Sequence, residues 1–201
     1  MKYDVILAGV GGQGVLSVAA VIARAALSGG FEVRQSEVHG MAQRGGQVLA
    51  HMRISDKKIA GDLVPAGGAD MIIAMEPLEG LRYISYLKPD GILVCAADAF
   101  VNMSNYPDIN EIHSKIKSLP KWRIIATAEL AAQAGFSKAA NTAMVGAASC
   151  FLPIKESLLE NIIAAAFEKK DPQGANLKAF KLGRQACCAG EGAKQAKAEK
   201  K

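Results

Sequence analysis

Two glycine-rich segments hold most of what could be chemistry in this chain. In the first, Gly9-Val10-Gly11-Gly12-Gln13-Gly14 spells Gly-x-Gly-x-x-Gly between a short apolar run and a long one. Glycine tolerates φ > 0 and lets backbone approach a ligand closely. A helix that begins at once presents unbonded N–H groups to a phosphate. A tight turn that binds nothing has the same spelling, but the strand–loop–helix context favours a phosphate-bearing ligand or another anion. In the second, His39-Gly40-Met41-Ala42-Gln43-Arg44-Gly45-Gly46 gathers a histidine, an arginine and three glycines. Arg44 offers a planar fork of donors for phosphate or carboxylate. Its alternative is a solvated arginine on a surface loop.

Other polar residues carry weaker signals. Asn141-Thr142-Ala143-Met144-Val145-Gly146 opens a strongly apolar helix. Asn141 reads as its N-cap, or as an amide turned into a ligand cleft. His39 has no nucleophile or orienting acid near it in sequence and reads as a hydrogen-bonding residue. His51 and His113 stand without a second ligand at metal spacing. Asp62, Glu76 and Glu79 read as solvated carboxylates.

These residues must be positioned by alternating strands and helices. Tyr3–Ala8 reads as a buried strand, Val15–Ser28 as a helix stopped by Gly29-Gly30, and Phe31–Ser36 as a second strand. The second glycine segment then feeds straight into Gln47–Ser55, a third strand with no helix between. Asp56-Lys57-Lys58 turns the chain, and Ile59–Val64 is expected to pair back as a hairpin. Asp70–Met75 is a strand, Pro77–Leu87 a helix, Lys88-Pro89-Asp90-Gly91 a turn, Ile92–Ala96 a strand and Arg123–Ala126 the last strand. Helices are expected over roughly 129–134, 141–151, 155–169 and 176–189. The sum is a three-layer α/β/α fold with a mostly parallel mixed sheet and a helical C-terminal part. The glycine loop is Rossmann-like, but the topology is not. A dinucleotide site needs a crossover helix after the second strand, so NAD and FAD are disfavoured although Glu37 stands near the ribose-binding place.

Bulk properties narrow the classes further. The chain has 201 residues, half of them hydrophobic, enough for one domain with a sizeable core. The formal charge is +5, but only 5% of residues are aromatic and the basic ones are scattered. That is not a nucleic-acid surface. No apolar run reaches a membrane span and the N-terminus lacks a signal peptide's features, which predicts a cytoplasmic protein. Cys95, Cys150, Cys187 and Cys188 show no Cys-x-x-Cys spacing and read as buried free thiols, without a cluster or zinc site. Residues 191–201, rich in Ala, Lys, Gln and Glu, read as a disordered basic tail after a domain at 1–190. The late helices, Ala139–Leu152 and Leu158–Phe167, carry apolar surface expected to exceed the sheet's needs and to meet a partner.

Three segments together resemble a known family. They are Gly9-Val10-Gly11-Gly12-Gln13-Gly14-Val15, Ser36-Glu37-Val38-His39-Gly40-Met41-Ala42-Gln43-Arg44-Gly45-Gly46 and Asn141-Thr142-Ala143-Met144. They are similar to the gamma-type subunits of 2-oxoacid:ferredoxin oxidoreductases, nearest to the small subunit of the indolepyruvate enzymes. The likeness covers roughly residues 1–190. It implies a complex that oxidatively decarboxylates a 2-oxoacid to an acyl-coenzyme A and passes electrons to ferredoxin. It implies thiamine diphosphate and iron–sulfur clusters on a larger partner subunit, and a gamma-type domain that helps hold coenzyme A. Carried over by motif, the ligand-binding candidates are Gly11, Gly12, Gln13, Gly14 and Val15, then Arg44, then Asn141; no residue of this chain is expected to be catalytic or to bind metal. Related pyruvate enzymes carry lysine in the second loop where this chain has Gln43 and Arg44. A stand-alone nucleotide- or coenzyme A-binding α/β protein is the alternative.

Overall fold

In a computed structural model of the chain, residues 1–39, 45–167, 171 and 174–189 are described. Arg44 and the expected tail at 191–201 lie outside them. The sheet grows from β1 (Lys2–Val10), whose residues from Asp4 to Val10 are all buried. A strand covered on both faces is apolar at nearly every position rather than at alternate ones. Beside it lie β2 (Glu32–His39), β3 (Gln47–Ser55), β4 (Ala69–Ala74), β5 (Leu87–Ala96) and β6 (Trp122–Ile125), in the order β2-β3-β1-β4-β5-β6. β4, β5 and β6 continue parallel to β1, whereas β3 runs antiparallel to both β1 and β2. The expected mixed, mostly parallel sheet is therefore present. β2 pairs antiparallel with β3, with His39 opposite Val48, where a dinucleotide fold would follow its second strand with a crossover helix and a parallel strand.

Helices cover both faces. Val5, Leu7, Met71, Ile73 and Val94 pack on one side with α1 (Val15–Ser28), α5 (Ala140–Ala148), α6 (Glu156–Phe167) and α7 (Ala175–Ala189). Ile6, Ile72, Ala74, Leu93 and Cys95 face the other side with α2 (Pro77–Arg82) and α3 (Ile109–Lys117). The alternation of neighbours such as Ile6 and Leu7 is the period-2 pleat dividing the core into two layers. α4 (Thr127–Ala134) packs through Ala131 and Ala134 onto Ala143 of α5 and Ala179 of α7. Among the described residues no helix is long and apolar enough to cross a membrane.

The tightest contact is between α5 and α7. A Cβ on Gly146 would stand 2.0 Å from the Phe180 carbonyl oxygen, and one on Gly183 would stand 1.9 Å from that of Ala143. Backbone meets backbone at this crossing, and only glycine allows it. α5 is consequently buried from Thr142 to Ala148. The expectation that the 139–152 helix leaves apolar surface for a partner is therefore overturned, because that surface goes into the chain's own core. Exposed large apolar residues lie elsewhere, at Leu27, Val38, Leu63, Phe100 and Val101.

Three further expectations are corrected. Residues 59–64 form no strand. Side chains of the sheet hold this loop instead: Arg53 donates to the Gly61 and Leu63 carbonyls, His51 Nδ1 accepts the Val64 N–H at 3.1 Å, and Glu32 accepts the Ile59 N–H. These bonds satisfy the loop backbone without a ladder. The helix from Pro77 ends at Arg82, and Ile84–Tyr86 forms a single 3₁₀ turn. Residues 88–91 lie within β5 as an irregularity, since the partners of β5 move from Leu87 to Ile92 while β4 advances only from Ala69 to Met71.

Two measurements check this packing. Gly183→Ala is expected to cost at least the upper part of the roughly 1–3 kcal/mol of overpacking, read by denaturant unfolding, because backbone rather than a movable side chain blocks the new methyl. An unchanged midpoint would mean that α5 and α7 are not in backbone contact. Burial pushes the His51 imidazole below its ordinary value of 6.5. The unfolded chain then binds the proton more readily than the folded one, so stability is lost as pH falls below about 6.5. His51→Asn, whose Oδ1 can replace the Nδ1 acceptor but cannot protonate, is expected to lose less stability over the same pH interval. Parallel pH profiles would show that His51 contributes nothing.

Candidate functional site

The C-terminal ends of β1 and β4 and the start of β3 meet at one edge of the sheet, and the glycine loop sits there. The loop is pinned by its own residues. Gln13 turns its side chain inward: its Oε1 accepts the Val10 N–H at 2.8 Å and its Nε2 donates to the Met75 carbonyl at 3.2 Å. That one amide fastens the end of β1 to the end of β4. The Gln13 N–H also closes onto the Val10 carbonyl. Gly11 donates to the Gly46 carbonyl at 2.7 Å and accepts from Gly45 at 3.3 Å. Asn102 Nδ2 donates to the Gly45 carbonyl at 2.8 Å. The two glycine segments of the sequence are thus neighbours, joined through the described end of the second.

Beyond these braces the loop opens into α1. Gly12 has φ of 100° and Gly14 has φ 79°, ψ 29°, left-handed positions where an L side chain is strained. Among the described residues the N–H groups of Gly12, Gly14, Val15 and Leu16 make no hydrogen bond. They are the orphan donors of a helix start, gathered at the positive end of its dipole. The Val15 side chain is buried, so that residue offers only its backbone. Asn141 arrives from α5: its Nδ2 lies 2.2 Å from where a Cβ on Gly14 would stand. It is not the N-cap expected from sequence, since α5 starts at Ala140 after Ala139, with no side-chain cap. Its half-exposed amide touches the glycine loop instead.

The candidates therefore divide by role. Gly11 and Gln13 are braces whose polar groups are already bonded. Gly12, Gly14 and Val15 present free N–H groups, as does Leu16, which sequence reading had not singled out; any first-turn position after the glycines would have signalled it. Asn141 stands beside them. Arg44 lies outside the described residues.

Two carboxylates are corrected from solvated to buried. Glu76 is 1% exposed and Glu79 3%. Glu76 caps α2 by accepting the Glu79 N–H at 2.8 Å, and it also accepts the Tyr106 hydroxyl and the Phe100 N–H. Burial raises the Glu79 carboxyl above its ordinary range, against the neighbouring Arg82, 3.0 Å away. Burial and the adjacent Glu76 push the Cys95 thiol up to about 12, so it is no nucleophile. The signal for Glu76 was its place between a buried strand and Pro77. Glu76 and Tyr106 fix the 97–108 segment against the loop's edge and act as supports. Asp62 is exposed as expected. Among the described residues no three His, Cys, Asp or Glu side chains are grouped to hold a metal ion. A cavity of about 200 Å³ lined by Lys2, Arg53, Ser55 and Lys58 lies at the opposite edge of the sheet, where Arg53 is already committed to Asp4 and to the 59–64 loop.

Comparison with known proteins places this arrangement. Residues 4–186 match the family model described as pyruvate ferredoxin/flavodoxin oxidoreductase. The chain is 35% identical over 192 residues to the indolepyruvate oxidoreductase subunit IorB of Archaeoglobus fulgidus, covering 91% of this chain and 94% of that one. Its fold is similar to the keto/oxoacid ferredoxin oxidoreductase gamma subunit from Geobacter sulfurreducens, with a TM-score of 0.69 at 23% identity over 94% of this chain and 99% of that one. It is also similar to the 2-oxoglutarate:ferredoxin oxidoreductase from Magnetococcus marinus solved with 2-oxoglutarate, coenzyme A and succinyl-CoA, with a TM-score of 0.72 at 22% identity. That match covers 94% of this chain but only 31% of the larger polypeptide.

The contact of Gly14 with Asn141 is open to a double-mutant cycle. Gly14→Ala is expected to destabilise by the roughly 1–2 kcal/mol of a left-handed alanine plus the clash with the Asn141 amide. In an Asn141→Ala background only the first contribution remains, so the two substitutions couple favourably. Strict additivity would show that the side chains do not meet.

Proposed function

This chain belongs to the pyruvate ferredoxin/flavodoxin oxidoreductase family, and from that premise we propose that it is the small, non-thiamine-binding subunit of a 2-oxoacid:ferredoxin oxidoreductase, with indolepyruvate or a related arylpyruvate as substrate. Relatives at 34–35% identity are named as indolepyruvate oxidoreductase subunits, which supports that substrate class. In the reaction the 2-oxoacid loses carbon dioxide, its acyl group passes to the thiol of coenzyme A, and the electron pair leaves for ferredoxin. Thiamine diphosphate and iron–sulfur clusters are assigned to the larger partner subunit; a thiamine cofactor supplies the electron sink that no side chain provides. A stand-alone binding protein is not favoured, because the relatives are subunits.

The observation that carries this chain's part is the row of unbonded N–H groups at Gly12, Gly14, Val15 and Leu16 beside the Asn141 amide. Oriented N–H groups at a helix start suit a phosphate. The coenzyme A bound to the Magnetococcus enzyme supports that ligand over an inorganic anion. In this reading Gln13 and Gly11 hold the loop in shape and the free N–H groups take the phosphates. Asn141 donates from the side, and Arg44 supplies a guanidinium from the second loop. The chain contributes binding and orientation, and the bond-making belongs to its partner.

Reconstitution tests the proposal. The isolated chain is expected to reduce no viologen dye with indolepyruvate, and to confer activity when mixed with its larger subunit. Asn141→Ala is expected to raise the KM for coenzyme A roughly fivefold, the worth of one hydrogen bond at about 1 kcal/mol, with the KM for the 2-oxoacid unchanged. Full activity of the larger subunit alone would defeat the assignment. A variant whose coenzyme A dependence is unchanged would reduce the loop to a structural turn.

A further inference from the structure

Three of the four cysteines converge on one place where the oxidoreductase reading gives them no role. Cys150 follows α5, and Cys187 and Cys188 stand in the last turn of α7. Neighbouring residues on a helix point about 100° apart, so Cys187 is buried while Cys188 is exposed. The expectation of uniformly buried thiols does not hold. The Cys150 and Cys188 sulfurs stand 3.2 Å apart, closer than unbonded sulfurs pack and farther than a covalent bond. Two guanidinium groups flank the cluster. Arg184 lies 4.0 Å from the Cys150 sulfur and bonds the Ser149 hydroxyl at 2.8 Å. Arg123 donates to the Cys187 carbonyl at 3.2 Å. The hydrogen bond from Cys150, and then Arg123, hold the Cys187 thiol below its ordinary range against burial, while donation to Cys150 raises Cys188.

We propose that Cys150 and Cys188 form a modification site for hydroperoxides, closing on oxidation into a reversible disulfide that staples the end of α7 to the end of α5. The exposed Cys188 gives up its thiol proton to water and its sulfur attacks the hydroperoxide; the O–O bond breaks, Cys188 becomes a sulfenic acid, and the leaving alkoxide or hydroxide takes up that proton as alcohol or water. Cys150, already in contact, then attacks that sulfur. The S–S bond forms, the S–O bond breaks, and the leaving hydroxide takes up the Cys150 proton as water. The net change consumes two thiols and one hydroperoxide and yields one disulfide, one alcohol and one water. A dithiol reverses it by exchange. The contact at Gly146 and Gly183 holds the two helices rigidly together, so the sulfurs need only a small approach. Because α5 begins at Asn141's turn, the staple also stiffens the helix that carries that amide to the glycine loop.

The test uses the full chain and hydrogen peroxide, followed by alkylation of remaining thiols and peptide mapping without reductant. The expected product is a peptide pair joining Cys150 to Cys188, lighter by two hydrogens, with Cys95 and Cys187 alkylated. Dithiothreitol restores four alkylated cysteines. Cys188→Ser, a change at an exposed position, is expected to abolish the linked product, and Cys187→Ser to leave it in place. A link between Cys150 and Cys187 would overturn the proposal, and so would sulfinic or sulfonic acid at Cys188 with no cross-link.

Discussion

The backbones of α5 and α7 touch, and much of the molecule's functional geometry follows from that contact. With glycine at 146 and 183, each helix lies against a carbonyl of the other. Any larger residue would push the helices apart by the breadth of a methyl group. The contact fixes the depth at which α5 enters the core, and so the place where its first turn emerges. At that turn Asn141 meets Gly14, and at the other end Cys150 meets Cys188. One crossing thus sets both the amide beside the glycine loop and the thiol cluster behind it.

The loop itself owes its shape to a different economy of polar groups. The Gln13 amide uses its oxygen on β1 and its nitrogen on the turn after β4. Gly11 spends both of its backbone groups on the far glycine segment. What the loop leaves unbonded among the described residues are the N–H groups of Gly12, Gly14, Val15 and Leu16, gathered at a helix start. The antiparallel insertion of β3 between β1 and β2 brings the second glycine segment to the same edge. A Rossmann sheet would place a helix and a parallel strand there, so a loop with a dinucleotide spelling faces a different neighbour.

Much of this was legible in the residues, and what was hidden has physical reasons. The helix Val15–Ser28 and the strand Gln47–Ser55 match the structure at both ends, because glycine pairs and β-branched runs punctuate them sharply. The non-Rossmann topology was also readable, since the residues between Ser36 and Gln47 do not spell a crossover helix, and β2 pairs antiparallel with β3. Residues 59–64 were misread because an apolar run looks like a strand, whereas the Glu32, His51 and Arg53 side chains of β2 and β3 satisfy its backbone. Glu76 and Glu79 were misread because burial of a carboxylate depends on partners such as Tyr106 and Arg82, and Tyr106 is far away in sequence. The roles within the glycine loop were hidden for the same reason: spelling shows where backbone is permissive, but not which N–H groups the fold has already used. Asn141 carried two readings, and only the depth of α5 decides between them.

The central claim is that the unbonded N–H groups of this loop take the phosphates of coenzyme A once the larger subunit is in place. The most direct measurement is amide hydrogen exchange on the assembled complex, resolved over residues 10–18, with and without coenzyme A. Strong protection on adding coenzyme A is predicted at Gly12, Gly14, Val15 and Leu16, with little change at Gly11 and Gln13, whose N–H groups are already bonded. Exchange at those four positions that coenzyme A leaves unchanged, in a complex that turns over with it, would contradict the account.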